Sequence, residues 1–526
     1  MPWAPPSYKA PTTDEERLAD QWWRLCHLYR VVDERSRDRR FVPNAVQTAY
    51  YWAQWLLDLI LKSRQHGITT FLCLIALDHC IFRPNFHAHL IAHTREDSER
   101  LFAEKIRWPL EQLGREYPEL ATTVETTEDN ARVLRFPNGS TFSCGTSMRG
   151  GTLQWLHISE HGKICAQFPH KAKEIRTGAL NTVHAGHRIV IESTAEGRQG
   201  DFYDYAETAR KLQEQNRGLT KLDFKFHFFP WWRDPKNTLD PREVVLTADD
   251  RRYFAELKDK HGIRLTPGQK AWYVKKAATQ RDLMMREHPS TAAEAFEGAI
   301  EGTVYGTTMR KLRNQGRIVP DIAFSTRFRV DTTWDLGKGA HNAIWLHQFI
   351  PMENIHRWLW FLQSHRRDGR LSNDLGANSP ADHVAALEKL RAEYGFVWGN
   401  HYLPHDVEIS DWSQSSSVTR RDILEDLGLT NIVVVERVPN IDAGIAATAL
   451  LLESSVFSER GCAAGIAHLE SYHYEWNEKV EAFDKSKPVG DQASHASDAL
   501  RQLAQEWSPE VTYRSRKPKT RSWRTV

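Results

Sequence analysis

The chain has 526 residues, with 70 Lys and Arg against 68 Asp and Glu, and a formal net charge of +2. That length accommodates two or three domains, and so balanced a charge does not by itself announce a nucleic-acid partner. Six cysteines without a CxxC spacing exclude a disulfide or zinc framework and fit buried thiols in a reducing cytosol. No apolar run reaches the roughly 18–20 residues of a membrane span, and the start Met1-Pro2-Trp3-Ala4-Pro5-Pro6 has neither the basic nor the apolar part of a signal peptide.

Thr12 or Thr13 caps a first helix ahead of Asp14-Glu15-Glu16, and a charged segment runs on to Arg40. A helix start follows Pro43, and within it Gln47 carries an amide able either to serve that start or to read an adenine edge. The apolar run Trp55 to Leu61 reads as a buried strand, and Phe71 to Leu77 as the start of a buried helix. Between them lies Lys62-Ser63-Arg64-Gln65-His66-Gly67-Ile68-Thr69-Thr70. Strand, glycine-containing loop and helix N-terminus make an anion cradle, and Thr69 or Thr70 offers a hydroxyl for magnesium. The standard motif has Lys where Ile68 stands, so the nearest cations are Lys62 and Arg64. A polar turn is the bland alternative for this stretch alone.

Phe86 to His93 reads as a strand, Thr94 as the cap of an amphipathic helix from Arg95 to about Leu113, and Val133 to Ser143 as a hairpin turning at Pro137-Asn138-Gly139. Leu153 to Glu160 is a strand ending in an acid, placed to polarise a water that attacks a phosphate. Ser159 stands where a magnesium-holding Asp is usual. A further strand, His187 to Glu192, runs into the loop Ser193-Thr194-Ala195-Glu196-Gly197. Strands alternating with helices indicate a parallel sheet.

The second half has another grammar. Strands are expected at Phe328–Gly337, Asn342–Ile350 and Arg357–Gln363, then a helix at Ala381–Tyr394 and a strand at Val397–His405. A helix at Thr419–Leu427, a strand at Ile432–Val435 and two more helices follow, the last near Asp491–Trp507. Three meandering strands followed by αβαβα is the order of an RNase H-like nuclease. It puts Asp335 at the end of the first strand, Asp406 after the fourth, and Asp498 on the last helix with Asp491 and His495 on the same face. Carboxylates from separate elements are what a two-metal site needs, although any one of them alone is as well explained as a cap or turn. The tail from Arg514 to Arg524 is basic.

In this order the chain resembles the large terminase subunit of tailed bacteriophages, over nearly its whole length. The loop Ser63-Arg64-Gln65-His66-Gly67-Ile68-Thr69 is similar to the family's SRQxGKT, with Lys62 at the place of a lysine carried early in deviant loops. His288-Pro289-Ser290-Thr291-Ala292-Ala293-Glu294-Ala295-Phe296 resembles its YPSTPEEAF segment, and Ser494-His495-Ala496-Ser497-Asp498-Ala499-Leu500-Arg501 its closing nuclease motif SHxADAxR.

The resemblance implies an α/β architecture. An ASCE-type P-loop ATPase with a parallel sheet would occupy 1–320 with a linker, an RNase H-like α/β nuclease 321–508, and a basic tail 509–526. It implies ATP bound by Gln47, Lys62, Ser63, Arg64, Gln65, Gly67, Thr69 and Thr70. Glu160 would be the catalytic base, Arg149 the trans-acting finger, and Ser193 and Thr194 the coupling motif. Asp335, Asp406 and Asp498 would be catalytic metal ligands, with Asp491 a weaker one, for Mg²⁺ or Mn²⁺. The implied partners are double-stranded DNA, a portal protein, a small terminase subunit and further copies of the chain in a ring, as a pentamer, in the host cytoplasm and away from membranes. Two readings compete: a nuclease whose ATPase half has decayed into a docking module, and an RNase H-like recombinase with an added α/β domain.

Overall fold

The computed structural model describes residues 7–198, 200–280, 283–297, 302–336, 342–363, 380–408, 418–436, 440–477, 482–490 and 492–507. The chain forms two units, Met1–Gly298 and Ala299–Val526. The division falls before 320/321, because the amphipathic helix Gly306–Asn314 buries Met309 and Leu312 in a core of the second unit. Among the described residues no helix is long and apolar enough to cross a membrane.

The first unit is built on an eight-stranded sheet: β1 (Leu57–Lys62), β2 (His87–Ile91), β3 (Glu128–Asn130), β4 (Val133–Arg135), β5 (Thr141–Gly145), β6 (Leu153–Ser159), β7 (Val183–Ser193) and β8 (Phe224–Phe229). Their spatial order is β8-β1-β7-β6-β2-β5-β4-β3, parallel except for the hairpins at the β3 edge. All six residues of β1 are buried, as expected of a strand with parallel neighbours on both sides and cores above and below. Ile60 packs into one core while Leu57, Leu59 and Leu61 pack into the other, which is the period of two.

Helix α1 (Ala45–Ala53) begins at Asn44 with a capping box closed by Gln47, and α2 (Ile68–Phe82) follows the loop, twelve of its fifteen residues buried. Thr13 and Thr94 cap their helices as the sequence indicates. The helix after Thr94 is interrupted by a π turn at Ala103–Arg107, where the Trp108 N–H donates to Ala103 O. Pro109 has no N–H to give the preceding turn, and the wider turn absorbs that loss.

The segment resembling YPSTPEEAF is held from inside. Trp231 Nε1 donates to Ser290 Oγ (3.0 Å), and the Tyr253 hydroxyl donates to the Glu294 carboxylate (2.9 Å). Burial pushes Glu294 from 4.5 up to about 7, against the lowering effect of the Tyr253 and Tyr273 hydroxyls. Between those pH values the folded chain keeps a proton that the unfolded chain has released, so Glu294 makes stability fall as pH rises from about 4.5 to 7. Glu294→Gln, which is always neutral, is expected to match the wild type at pH 5 and to exceed it by about 1–3 kcal/mol at pH 8. Denaturant unfolding at the two pH values checks this; equal destabilisation at both would contradict it.

The second unit has a seven-stranded sheet of β9 (Ile318–Val319), β10 (Val330–Leu336), β11 (Asn342–Ile350), β12 (Ile355–Gln363), β13 (Trp398–Pro404), β14 (Ile432–Val435) and β15 (Ser455–Ser458), in the order β9-β15-β12-β11-β10-β13-β14. β10, β11 and β12 form the antiparallel meander; β13 joins β10 in parallel. Helix α3 (Gln492–Glu506) lies across the sheet, where Trp345 Nε1 donates to Ala496 O (2.9 Å) and Thr333 Oγ1 to Ala499 O. Trp345 is fully buried against the helix Glu459–Ser471, where a Cβ at Gly465 would stand 2.3 Å from its ring. Only glycine permits that approach.

Candidate functional site

The sequence singles out Lys62 as the loop's cation, and the structure puts its side chain, 9% exposed, at the end of β1 between two acids. Its Nζ lies 3.0 Å from Glu160 Oε1 and 3.1 Å from Glu192 Oε2. Burial disfavours the charge of Lys62, but the two carboxylates outweigh it and its pKa is raised. Glu160 follows β6 and caps the helix His161–Gln167 in the left-handed region, at φ 55° and ψ 44°. That conformation costs a non-glycine residue about 1 kcal/mol or more, and here it accompanies the Lys62 contact.

Glu192 has no role in the sequence reading. Its register on β7 places it beside Ile60 of β1 and Ser159 of β6, and it is fully buried. Its Oε1 accepts from Thr69 Oγ1 (2.8 Å) and from Ser159 Oγ (2.8 Å), and His157 Nε2 is 3.4 Å away. Burial alone would raise its pKa; Lys62, His157 and Thr69 reverse this and hold it ionised. An acid closing the run Ile189-Val190-Ile191 was the available signal, since an unpaired carboxylate is not tolerated on a buried strand.

The loop itself is tied to the segment 286–288. Ser63 N donates to Phe229 O (2.9 Å), Ser63 Oγ to Glu287 O (3.1 Å), and Arg64 pairs with Glu287. Glu287 also meets Arg286 (2.7 Å), and Arg286 meets Glu196 (2.9 Å) in the coupling loop. A chain of alternating charges thus joins the phosphate loop to Ser193–Gly197. Gln65 and Gly67 take positive φ, 69° and 68°, to turn the loop into α2. Gln47 uses its amide in the helix start and the loop: Oε1 accepts from Asn44 N (2.9 Å) and Nε2 donates to Gly67 O (2.8 Å). Beside it a cavity of about 390 Å³ is lined by Val31, Phe41, Gln47, Gly67, Thr70 and Pro235, among others, within the size range of small-molecule pockets.

Ser193 Oγ accepts from Gly162 N (3.0 Å), and Thr194 is buried. A Cβ at Gly162 would come within 2.7 Å of Thr194 O, so the helix after Glu160 and the coupling loop are in close contact. Arg149 lies on the stretch before β6, followed by two glycines at positive φ; its side chain is 70% exposed and meets Glu174 Oε1 at 2.9 Å.

In the second unit Asp335 is the penultimate residue of β10, and His495 Nδ1 lies 2.7 Å from its Oδ2. Asp498, one turn further along α3, pairs with Arg501. Burial raises Asp498 from 3.8 to about 6, with Arg501 opposing and Asp335 adding to the rise. Asp335 and Asp498 are therefore brought together. Asp406 stands two residues beyond β13, half exposed, with its Oδ1 2.9 Å from His405 Nε2. Among the described residues no three His, Cys, Asp or Glu side chains are gathered closely enough to hold a metal ion. Asp491 and the tail 509–526 lie outside the described residues, as does Asp411. Asp331 accepts from Asn400 N (2.7 Å) and ties β10 to β13, and Glu436 is exposed after β14.

No protein-family model matches the chain, and no curated protein matches it. Large terminases are among the solved structures it matches. The HK97 bacteriophage large terminase is 12% identical, with 94% of this chain and 99% of that chain covered and a TM-score of 0.41. The large terminase of a thermophilic bacteriophage, in complex with ADP, is 14% identical, covering 87% of this chain and 97% of that one, with a TM-score of 0.28. The nuclease domain of the large terminase of bacteriophage SPP1 with bound Mn is 16% identical over 35% of this chain and 92% of that chain, with a TM-score of 0.25.

Proposed function

We propose that the chain is a large terminase subunit, which hydrolyses ATP to drive double-stranded viral DNA into a procapsid and cuts concatemeric DNA with a metal-dependent nuclease. The observation that carries this is the joining of Lys62, Thr69, Glu160 and Glu192 into one hydrogen-bonded and ion-paired cluster where a strand, a phosphate-type loop and a helix N-terminus meet. A docking module that no longer binds nucleotide has no use for a buried lysine held between the buried Glu192 and the partly exposed Glu160. Such a group is costly to bury and destabilising when any member is lost.

In this reading the first amides of α2 and Lys62 bind the phosphates, and the cavity beside Gln47 takes the base. The Thr69 hydroxyl and the carboxylates are hard oxygen donors that fit magnesium, which when bound neutralises phosphate charge. Glu160 orients the attacking water and takes its proton. Arg149, exposed on its glycine-flanked stretch, reaches the site of a neighbouring copy in a ring. In the second unit Asp335 and Asp498 would hold Mg²⁺ or Mn²⁺, and Asp406, which is not gathered with them, would have to move in to complete the set; the ion would lower the pKa of a water and stabilise the leaving oxygen. His495 holds the Asp335 carboxylate in orientation. Partners of this kind would be a portal, a small subunit and copies of the chain, in the host cytoplasm at the procapsid.

DNA-stimulated ATP hydrolysis by the purified protein is the primary test; its absence, in protein shown to be folded, overturns the motor reading. The trans role of Arg149 has a sharper one. Arg149→Ala and Glu160→Ala subunits are each expected to be inactive, with rate losses of about 10³–10⁵ for the arginine. Mixed together they should recover part of the hydrolysis, because one class of interface then holds both an intact arginine and an intact base. Rings that form yet show no recovery at any mixing ratio would remove Arg149 from the neighbour's site.

A further inference from the structure

In phosphate-loop sheets the acid that backs the loop's Ser or Thr hydroxyl ends the strand that here carries Ser159. We propose that Glu192, one strand over, supplies this carboxylate to the nucleotide-bound divalent cation, and that Ser159 is its hydrogen-bond donor. The inference rests on the nucleotide-site reading above.

Three observations carry it. The Thr69 hydroxyl, which the loop offers to the cation, is already on Glu192 Oε1 at 2.8 Å, so carboxylate and hydroxyl share one locus. Glu192 Oε2 is fully buried and faces the Lys62 ammonium at 3.1 Å, yet accepts no well-formed hydrogen bond among the described residues. It therefore has lone-pair capacity left beside Lys62, at the end of β1. Ser159 Oγ donates to Oε1 at 2.8 Å, so the serine does what an aspartate there would prevent. An aspartate at 159 would crowd a third carboxylate against Glu160 and Glu192 around a single lysine, and the repulsion would favour losing one charge. Serine at 159 and glutamate at 192 are thus two halves of one exchange: the acid has moved across the β6–β7 pair, and a neutral donor fills the place it left. His157 closes the remaining side of the same oxygen.

The test uses the full chain with Mn²⁺ and ADP as probes. Free Mn²⁺ is followed by electron paramagnetic resonance, and metal-free nucleotide binding by a fluorescent ADP analogue in EDTA. Glu192→Gln is expected to weaken Mn²⁺ binding in the presence of ADP by about 10–100-fold. ADP should still bind in EDTA, which shows that the variant is folded with its nucleotide site in place. Unchanged Mn²⁺ affinity overturns the assignment. If Glu192→Gln does not fold, the exchange Glu192→Ser with Ser159→Asp keeps one carboxylate in the cluster. It should retain Mn²⁺ binding; a folded exchange variant that binds ADP but no longer Mn²⁺ overturns the proposal. Wild-type protein that binds neither ADP nor Mn²⁺ with ADP would sink the nucleotide-site reading itself, a result distinct from either of these.

Discussion

Lys62→Ala is expected to bring ATP hydrolysis down by at least about 10²–10³-fold, the cost of removing one fixed positive group from a phosphate-transfer site. The same change leaves Glu192 buried without its cation, and breaking a buried pair in this way costs about 3–5 kcal/mol. The chemical and structural effects separate on measurement. Hydrolysis and denaturant unfolding are followed in parallel, and cleavage by the second unit serves as the internal reference, since its acids belong to a different sheet. Hydrolysis at the wild-type rate in the variant would remove Lys62 from the reaction. Arg64 would then be the cation to examine, although it is already matched to Glu287.

Asp335→Ala and Asp498→Ala are each expected to abolish DNA cleavage with magnesium and manganese alike, leaving ATP hydrolysis near normal. Asp335 is held by His495, so His495→Ala should lower cleavage by about 10–100-fold rather than remove it. Asp498 must be ionised to hold a cation, and its carboxyl titrates near pH 6, so cleavage is expected to fall as pH drops through that value. Asp491→Ala should be milder than either. Plasmid still linearised in manganese by Asp335→Ala or Asp498→Ala would show that the substituted acid is not a ligand.

The elements were legible wherever periodicity or caps were strong. β1, the α2 start, the Val133–Ser143 hairpin and the Thr13 and Thr94 caps stand where their residue patterns put them. β15, four residues wedged between two helices, did not announce itself, because so short a run has no readable period. The helix Gly306–Asn314 falls within the 1–320 span expected for the first domain and its linker but packs in the second unit, since its apolar face shows only in the core it joins. For the site, the loop, Lys62 and Glu160 could be read as chemistry because a phosphate loop has a sequence order. Glu192, Glu287 and Arg286 could not: their roles come from strand register and from contacts across long stretches of chain, which local spacing does not encode. Gln47 illustrates the converse, its capping signal being realised in full. Of the second unit's expected ligands that lie among the described residues, Asp335 and Asp498 interact with one another, while Asp406 pairs with His405.

Glu160 sits at a backbone angle that glycine would take without cost. With Glu160 as the base proposed above, a sturdier fold and turnover would pull this position in opposite directions. A lineage that stopped needing ATP would be expected to relax it first, trading the acid for glycine or asparagine at a gain in stability.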